Sequence, residues 1–173
     1  MAHSQAGADV ANVVNRCNSA KQDKKLDLSG CKLIQIPEAV YFLMKNVCVE
    51  SLVLTNNQIP RLPKKFGVVF PGISELCLKK NKFSSLPDEI QDLSNLQSLD
   101  ISFNSFTCIP NAVYRLPKLV NLNAENNSIT DVDQEKLEGM ASIEEVNLCN
   151  NPIPADQQRA LQDIAEIHVL VGS

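Results

Sequence analysis

Histidine is almost missing from this chain of 173 residues, and the two present, His3 and His168, stand near its opposite ends. With so few imidazoles, no Cys/His or Ser/His/Asp arrangement can be assembled for nucleophilic catalysis, and no Cys/His spacing suits a zinc site. Glycine is scarce too: its six copies are scattered and leave no loop to cradle a phosphate. No enzyme activity, cofactor or metal is therefore expected. Long apolar runs are also absent, since none approaches the roughly 20 residues that span a bilayer. Nor is there an excess of positive charge. Sixteen Lys and Arg against twenty Asp and Glu give a net charge of −4, which argues against a broad nucleic-acid-binding face.

The segment Met1-Ala2-His3-Ser4-Gln5-Ala6-Gly7 has neither a basic n-region nor an apolar stretch, so no signal peptide is expected from it. Ala2 argues against myristoylation, and Val171-Gly172-Ser173 is not a prenylation box. Six cysteines occur, but without the clusters at the ends that secreted repeat proteins carry. They read as reduced thiols in a reducing compartment, the cytosol or the nucleus.

What the chain does have is a period. Asparagine recurs at Asn57, Asn81, Asn104, Asn127 and Asn151, at intervals of 24, 23, 23 and 24 residues, and Cys31 holds the same place one unit earlier. Each stands three residues after an apolar pair: Leu26/Leu28, Leu52/Leu54, Leu76/Leu78, Leu99/Ile101, Leu122/Ala124 and Val146/Leu148. Two residues further on come Leu33, Ile59, Phe83, Phe106, Ile129 and Ile153. Four units continue with an apolar-Pro step, at Pro37, Pro63, Pro87 and Pro110. A fixed period of this length predicts a solenoid of stacked units.

These LxxLxLxxNxLxxLP units, fullest in Ile73 to Pro87 and Leu96 to Pro110, resemble the typical intracellular leucine-rich repeat. The stretch Leu26 to Leu33, the lengthened first unit with Lys45-Asn46-Val47 and the short helical N-terminus narrow the resemblance to an LRR-only group. That group has no catalytic motif to carry over, so the resemblance implies a binding module without naming its ligand.

The expected fold is an α/β solenoid, a curved right-handed array with parallel strands on the concave side and short helical or 3₁₀ segments on the convex side. Residues 1–21 are expected to form an N-terminal helical cap, 22–155 six repeats, and 156–173 a C-terminal cap. In each x-L-x-L-x strand the leucines face inward, and each ladder Asn satisfies backbone groups of neighbouring turns. Val10, Val13, Val14 and Cys17 share one helical stripe for the first cap. Ala160, Leu161, Ile164, Ala165 and Ile167 form another for the last, where His168 to Val171 either adds a strand or extends the helix.

The outward strand positions form three columns. The central members expected to meet a partner are Ser51, Glu75, Ser98 and Asn121; Val53, Cys77, Asp100 and Asn123; and Thr55, Lys79, Ser102 and Glu125. Lys25 and Glu145, Asp27 and Asn147, and Ser29 and Cys149 complete the rows. Five gaps of about 4.8 Å make a face roughly 24 Å long, enough for a protein patch. Ser29, Thr55 and Ser102 have a local alternative, hydrogen bonding at strand ends. Phe103 either stands at the concave rim as an anchor or packs on the adjacent turn. Lys79, Lys80 and Lys82 with Arg61, Lys64 and Lys65 are the main basic cluster and read best as a solvated face.

The expectation is thus a monomeric, non-catalytic adaptor or regulatory scaffold that binds a protein on its concave face, with no nucleic acid and no membrane span. A rival expectation is a secreted recognition protein of innate immunity that binds microbial glycans or lipids. Asn126-Asn127-Ser128 is a glycosylation sequon, but Asn126 sits beside the ladder, where Asn has a structural use.

Overall fold

A computed structural model describes residues 2–172, with side chains described from Val10 onward. Seven strands form one parallel sheet in chain order: β1 (Lys25–Asp27), β2 (Ser51–Val53), β3 (Glu75–Cys77), β4 (Ser98–Asp100), β5 (Asn121–Asn123), β6 (Glu145–Asn147) and β7 (His168–Leu170). The register is that of the repeat, with Leu26, Leu52, Leu76, Leu99, Leu122, Val146 and Val169 stacked in line. All seven are buried, and so is the second inward row of Leu28, Leu54, Leu78, Ile101, Ala124 and Leu148.

The strands stop at three residues, short of the five expected. The backbone ladder continues two bonds further, as through Leu28 N–H to Val53 O (2.8 Å) and Gly30 N–H to Thr55 O (2.9 Å). The chain then turns through a residue at positive φ just before the ladder position: Gly30, Asn56, Lys80, Phe103, Asn126 and Asn150. The third outward column therefore lies in the turn rather than on the strand.

The return segments are α2 (Glu38–Leu43), α3 (Phe66–Val69), 3₁₀ turns at Asp88–Asp92 and Val113–Arg115, α4 (Gln134–Glu138) and α5 (Ala155–Gln162). Pro37, Pro87 and Pro154 precede three of them in extended conformation, where a missing N–H costs nothing. The fifth unit has Asp133 in place of proline. Its carboxylate accepts from Lys136 N–H (3.1 Å) and caps α4.

The first helix, α1 (Ala2–Asp23), packs against β1 and α2. Its buried stripe is Val13, Cys17 and Ala20, whereas Val10 is 63% exposed. A three-residue strand is about 10 Å long and covers about two helical turns, so a stripe beginning at Val10 starts one turn too early. At the other end α5 stops at Gln162, and His168 to Leu170 takes the strand option. Leu161 and Ile167 are buried there while Ala165 is exposed.

Candidate protein-binding face

Each ladder asparagine makes the same three principal bonds, and its Nδ2 makes a further one to the carbonyl two residues earlier. Asn104 Oδ1 accepts from Phe83 N–H (3.0 Å), and its Nδ2 donates to Leu78 O and Ile101 O (both 3.0 Å). Asn57, Asn81, Asn127 and Asn151 repeat the pattern with Leu33, Ile59, Phe106 and Ile129 as donors. Two of the three partners belong to the preceding unit, so the ladder has a direction. Cys31 has helix α1 rather than a repeat before it, and its thiol reaches Ser29 O (3.6 Å) in its own turn. This directional ladder holds the strands in one rigid register and thereby places the outward columns.

In the first column Glu75 and Asn121 are exposed and Ser51 and Ser98 half-buried. In the second, Asp100 and Asn123 spend one oxygen locally, accepting from Ser102 N–H (2.9 Å) and Glu125 N–H (3.1 Å). Asp27 and Asn147 do the same with Ser29 and Cys149. The local bonds expected of the serine column thus come from the Asp/Asn column one step earlier, as Asx turns. An Asx residue two before the turn in four of the six units was the visible sign.

Burial opposes the effect of those bonds on the Asp27 carboxyl. The Ser29 hydrogen bonds and the nearby Arg16 and Lys25 prevail, holding it below its ordinary value of 3.8.

Val53 and Cys77 replace the Asx residue in the second and third units. The Cys77 thiol lies 3.1 Å from Thr55 Oγ1 and 3.7 Å from Asp100 Oδ2. Burial raises its pKa, and the bond from Thr55 offsets that only partly. A thiol held protonated is a poor nucleophile.

The third column departs most from expectation. Thr55, Lys79 and Glu125 are partly open, but Ser102 is 0% exposed and cannot meet a partner as it stands. Its neighbours explain why. Lys80 N–H bonds Ser102 O and Phe103 N–H bonds Glu125 O, which places Ser102 between Lys79 and Glu125. Those two side chains meet over it at 3.8 Å. Phe103 is 37% exposed, and the ammoniums of Lys79 and Lys80 lie 5.0 and 5.4 Å from its ring centre.

The basic cluster divides as expected: Lys64 pairs with Glu89 (3.4 Å) and Lys65 with Glu38 (2.6 Å) on the return segments, away from Lys79. Arg16 was not foreseen. Its guanidinium donates to Asp27 O (2.9 Å) and Ser29 O (3.1 Å), which face away from β2 on the outer edge of β1.

Two shallow depressions lie along the face. One of about 230 Å³ is flanked by Val53, Glu75 and Cys77, the other of about 240 Å³ by Asp100, Asn121 and Asn123. Both fall below the roughly 300 Å³ at which small-molecule sites begin. Among the described residues no group of His, Cys, Asp or Glu could hold a metal, and no helix is long and apolar enough to cross a membrane.

The leucine rich repeat family model matches residues 48–106 and 71–129. The chain is 45% identical over 154 residues to leucine-rich repeat-containing protein 20 of Mus musculus, covering 88% of this chain and 83% of that one. The chain belongs to the leucine-rich repeat family. The human protein of the same name is 36% identical over 96 residues, spanning 54% of this chain and 52% of its own length. Among solved structures, a leucine-rich repeat protein of Leptospira interrogans superposes with a TM-score of 0.67 at 29% identity. The match covers 80% of this chain but only 34% of that longer one. Leucine-rich repeat membership accounts for the period, the ladder and the open parallel sheet together, and the name shared by the mouse and human relatives gives no catalytic function.

Proposed function

We propose that this leucine-rich repeat chain is a non-catalytic adaptor or regulatory scaffold that binds a partner protein on the concave sheet. The observation that carries the reading is the face itself. It is a rigidly registered surface of short polar side chains of mixed sign, with depressions too shallow for a small molecule. Such a surface suits a polar, hydrated interface whose apolar anchors come largely from the partner. Six cysteines without a disulfide among the described residues, two of them exposed, support a reducing compartment, the cytosol or the nucleus, and a monomer is the simplest working state.

The test uses Ser98 and Asn121, which sit opposite each other in β4 and β5 with room to grow. The Ser98→Arg/Asn121→Arg protein is expected to melt at the wild-type temperature and to lose a protein that wild type captures from native lysate. Equal capture by both would move the interface to the convex helices or the caps. Capture of glycan or lipid in place of protein would favour the secreted reading.

A further inference from the structure

Phe103 is the residue that turn chemistry explains least. It occupies the positive-φ position (54°) that four other units give to Gly30, Asn56, Asn126 and Asn150, and one to the unbranched, flexible Lys80. Glycine and asparagine adopt this conformation readily, whereas an aromatic side chain there is strained. Burial does not compensate the strain: Phe83 and Phe106 are sealed in the core, while Phe103 stays more than one-third exposed. Strain retained at an open aromatic is the kind of outlier that points toward a site.

A second, independent observation lies next to it. The Ser102 hydroxyl is fully buried and has no hydrogen-bond partner. Native proteins rarely leave a buried polar group unsatisfied. What buries it is the Lys79–Glu125 pair arching across from the flanking units. At 3.8 Å, with both side chains partly exposed, that ion pair is weak and displaceable. Glu125 has somewhere to go, because its Oε2 already accepts from Asn147 Nδ2 at 3.2 Å. Lys80 is exposed and has no carboxylate partner among the described residues.

We propose that Lys79, Lys80, Ser102 and Phe103 form a subsite for a carboxylate side chain of an acidic peptide segment, and that Glu125 occupies it in the free protein. The partner's carboxylate displaces Glu125 from Lys79, opens the arch and gives the Ser102 hydroxyl the acceptor it lacks. Lys80 supplies the second positive charge. The free edge of the Phe103 ring receives the side-chain methylenes of a neighbouring glutamate on the same peptide. This subsite rests on the concave-face reading and gives it a partner chemistry.

The probe is acetylated hexaglutamate, titrated into the isotope-labelled full chain with hexaglutamine as control. Saturable shifts centred on the Phe103 ring and the Lys79 and Lys80 side chains are expected with hexaglutamate alone. Glu125→Gln removes the internal competitor and should tighten binding. Phe103→Asn puts a favourable residue at the turn, so it should raise the melting temperature while weakening binding roughly tenfold, the scale of one aromatic anchor. Shifts spread over all surface lysines, unchanged affinity in Phe103→Asn, or a lowered melting temperature in that variant would each overturn the subsite. If hexaglutamate fails to bind while Ser98→Arg/Asn121→Arg still loses its captured protein, the subsite falls and the concave-face reading stands. Binding at Phe103 with undiminished capture by the arginine variant would be the reverse.

Discussion

A ladder asparagine is a polar side chain used as backbone. Asn104 fills three positions that neighbouring turns would otherwise leave unpaired, and two of them belong to the unit before it. Asn104→Ala should therefore cost about 1–3 kcal/mol, the penalty for orphaning buried backbone groups, as measured by urea denaturation. Cys31→Ala should cost clearly less, because a thiol is a much weaker hydrogen-bonding group than an amide. Equal losses in the two variants would mean that the amide bonds to the preceding unit add no stability. The same reasoning explains why asparagine is used: only an amide both accepts from one turn and donates to two carbonyls at once.

At the scale of elements, α1 does more than cover the core. In a parallel sheet alternate residues point their backbone groups to opposite edges, and on β1 the outer set includes the carbonyls of Asp27 and Ser29. Arg16 stands in for the missing strand, closing an edge that could otherwise pair with another chain. Removing it by Arg16→Ala should cost about 1–3 kcal/mol. It should also promote self-association at high concentration, as seen by light scattering; a stable, strictly monomeric variant would contradict this role. The Asp27 carboxylate on the same edge, held chiefly by its Ser29 hydrogen bonds and then by the Arg16 charge, has a pH signature. Asp27 titrates lower in the folded chain than in the unfolded one, so the unfolded state binds more protons on acidification. Its contribution is complete above the ordinary value of 3.8 and is lost as pH falls through the lower folded value. Asp27→Asn should flatten the acid limb of the melting curve, and an unaltered limb would remove Asp27 from the account.

Taken as a whole, the molecule is close to one-dimensional: each strand pairs only with those before and after it in sequence. Stability in such arrays is a sum of unit terms and nearest-neighbour terms. A core truncation in the middle, Leu99→Ala, should cost about 2–5 kcal/mol and lower amide-exchange protection on both sides of β4. The equivalent change at the end, Val169→Ala, should loosen β7 and β6 while leaving β2 to β4 protected. Uniform loss of protection from the terminal change would show that the array unfolds as a single cooperative block.

The sequence by itself determined the period, the inward rows, the ladder and the parallel sheet, because each follows from local chemistry repeated at a fixed spacing. A leucine pair, a turn asparagine and a proline carry the same meaning in every unit, so one unit read correctly reads them all. Tertiary structure decided what depends on side chains from different units meeting. Ser102 looked like an open surface residue, and only the reach of Lys79 to Glu125 across it made it buried. Arg16 carried no signal, since its targets are backbone carbonyls on the edge of β1. Val10 fell outside its predicted stripe because the length of the strand, not the periodicity of the helix, sets how much of α1 is covered. Repetition specifies the scaffold, and long side chains crossing between repeats shape the surface where a partner would bind.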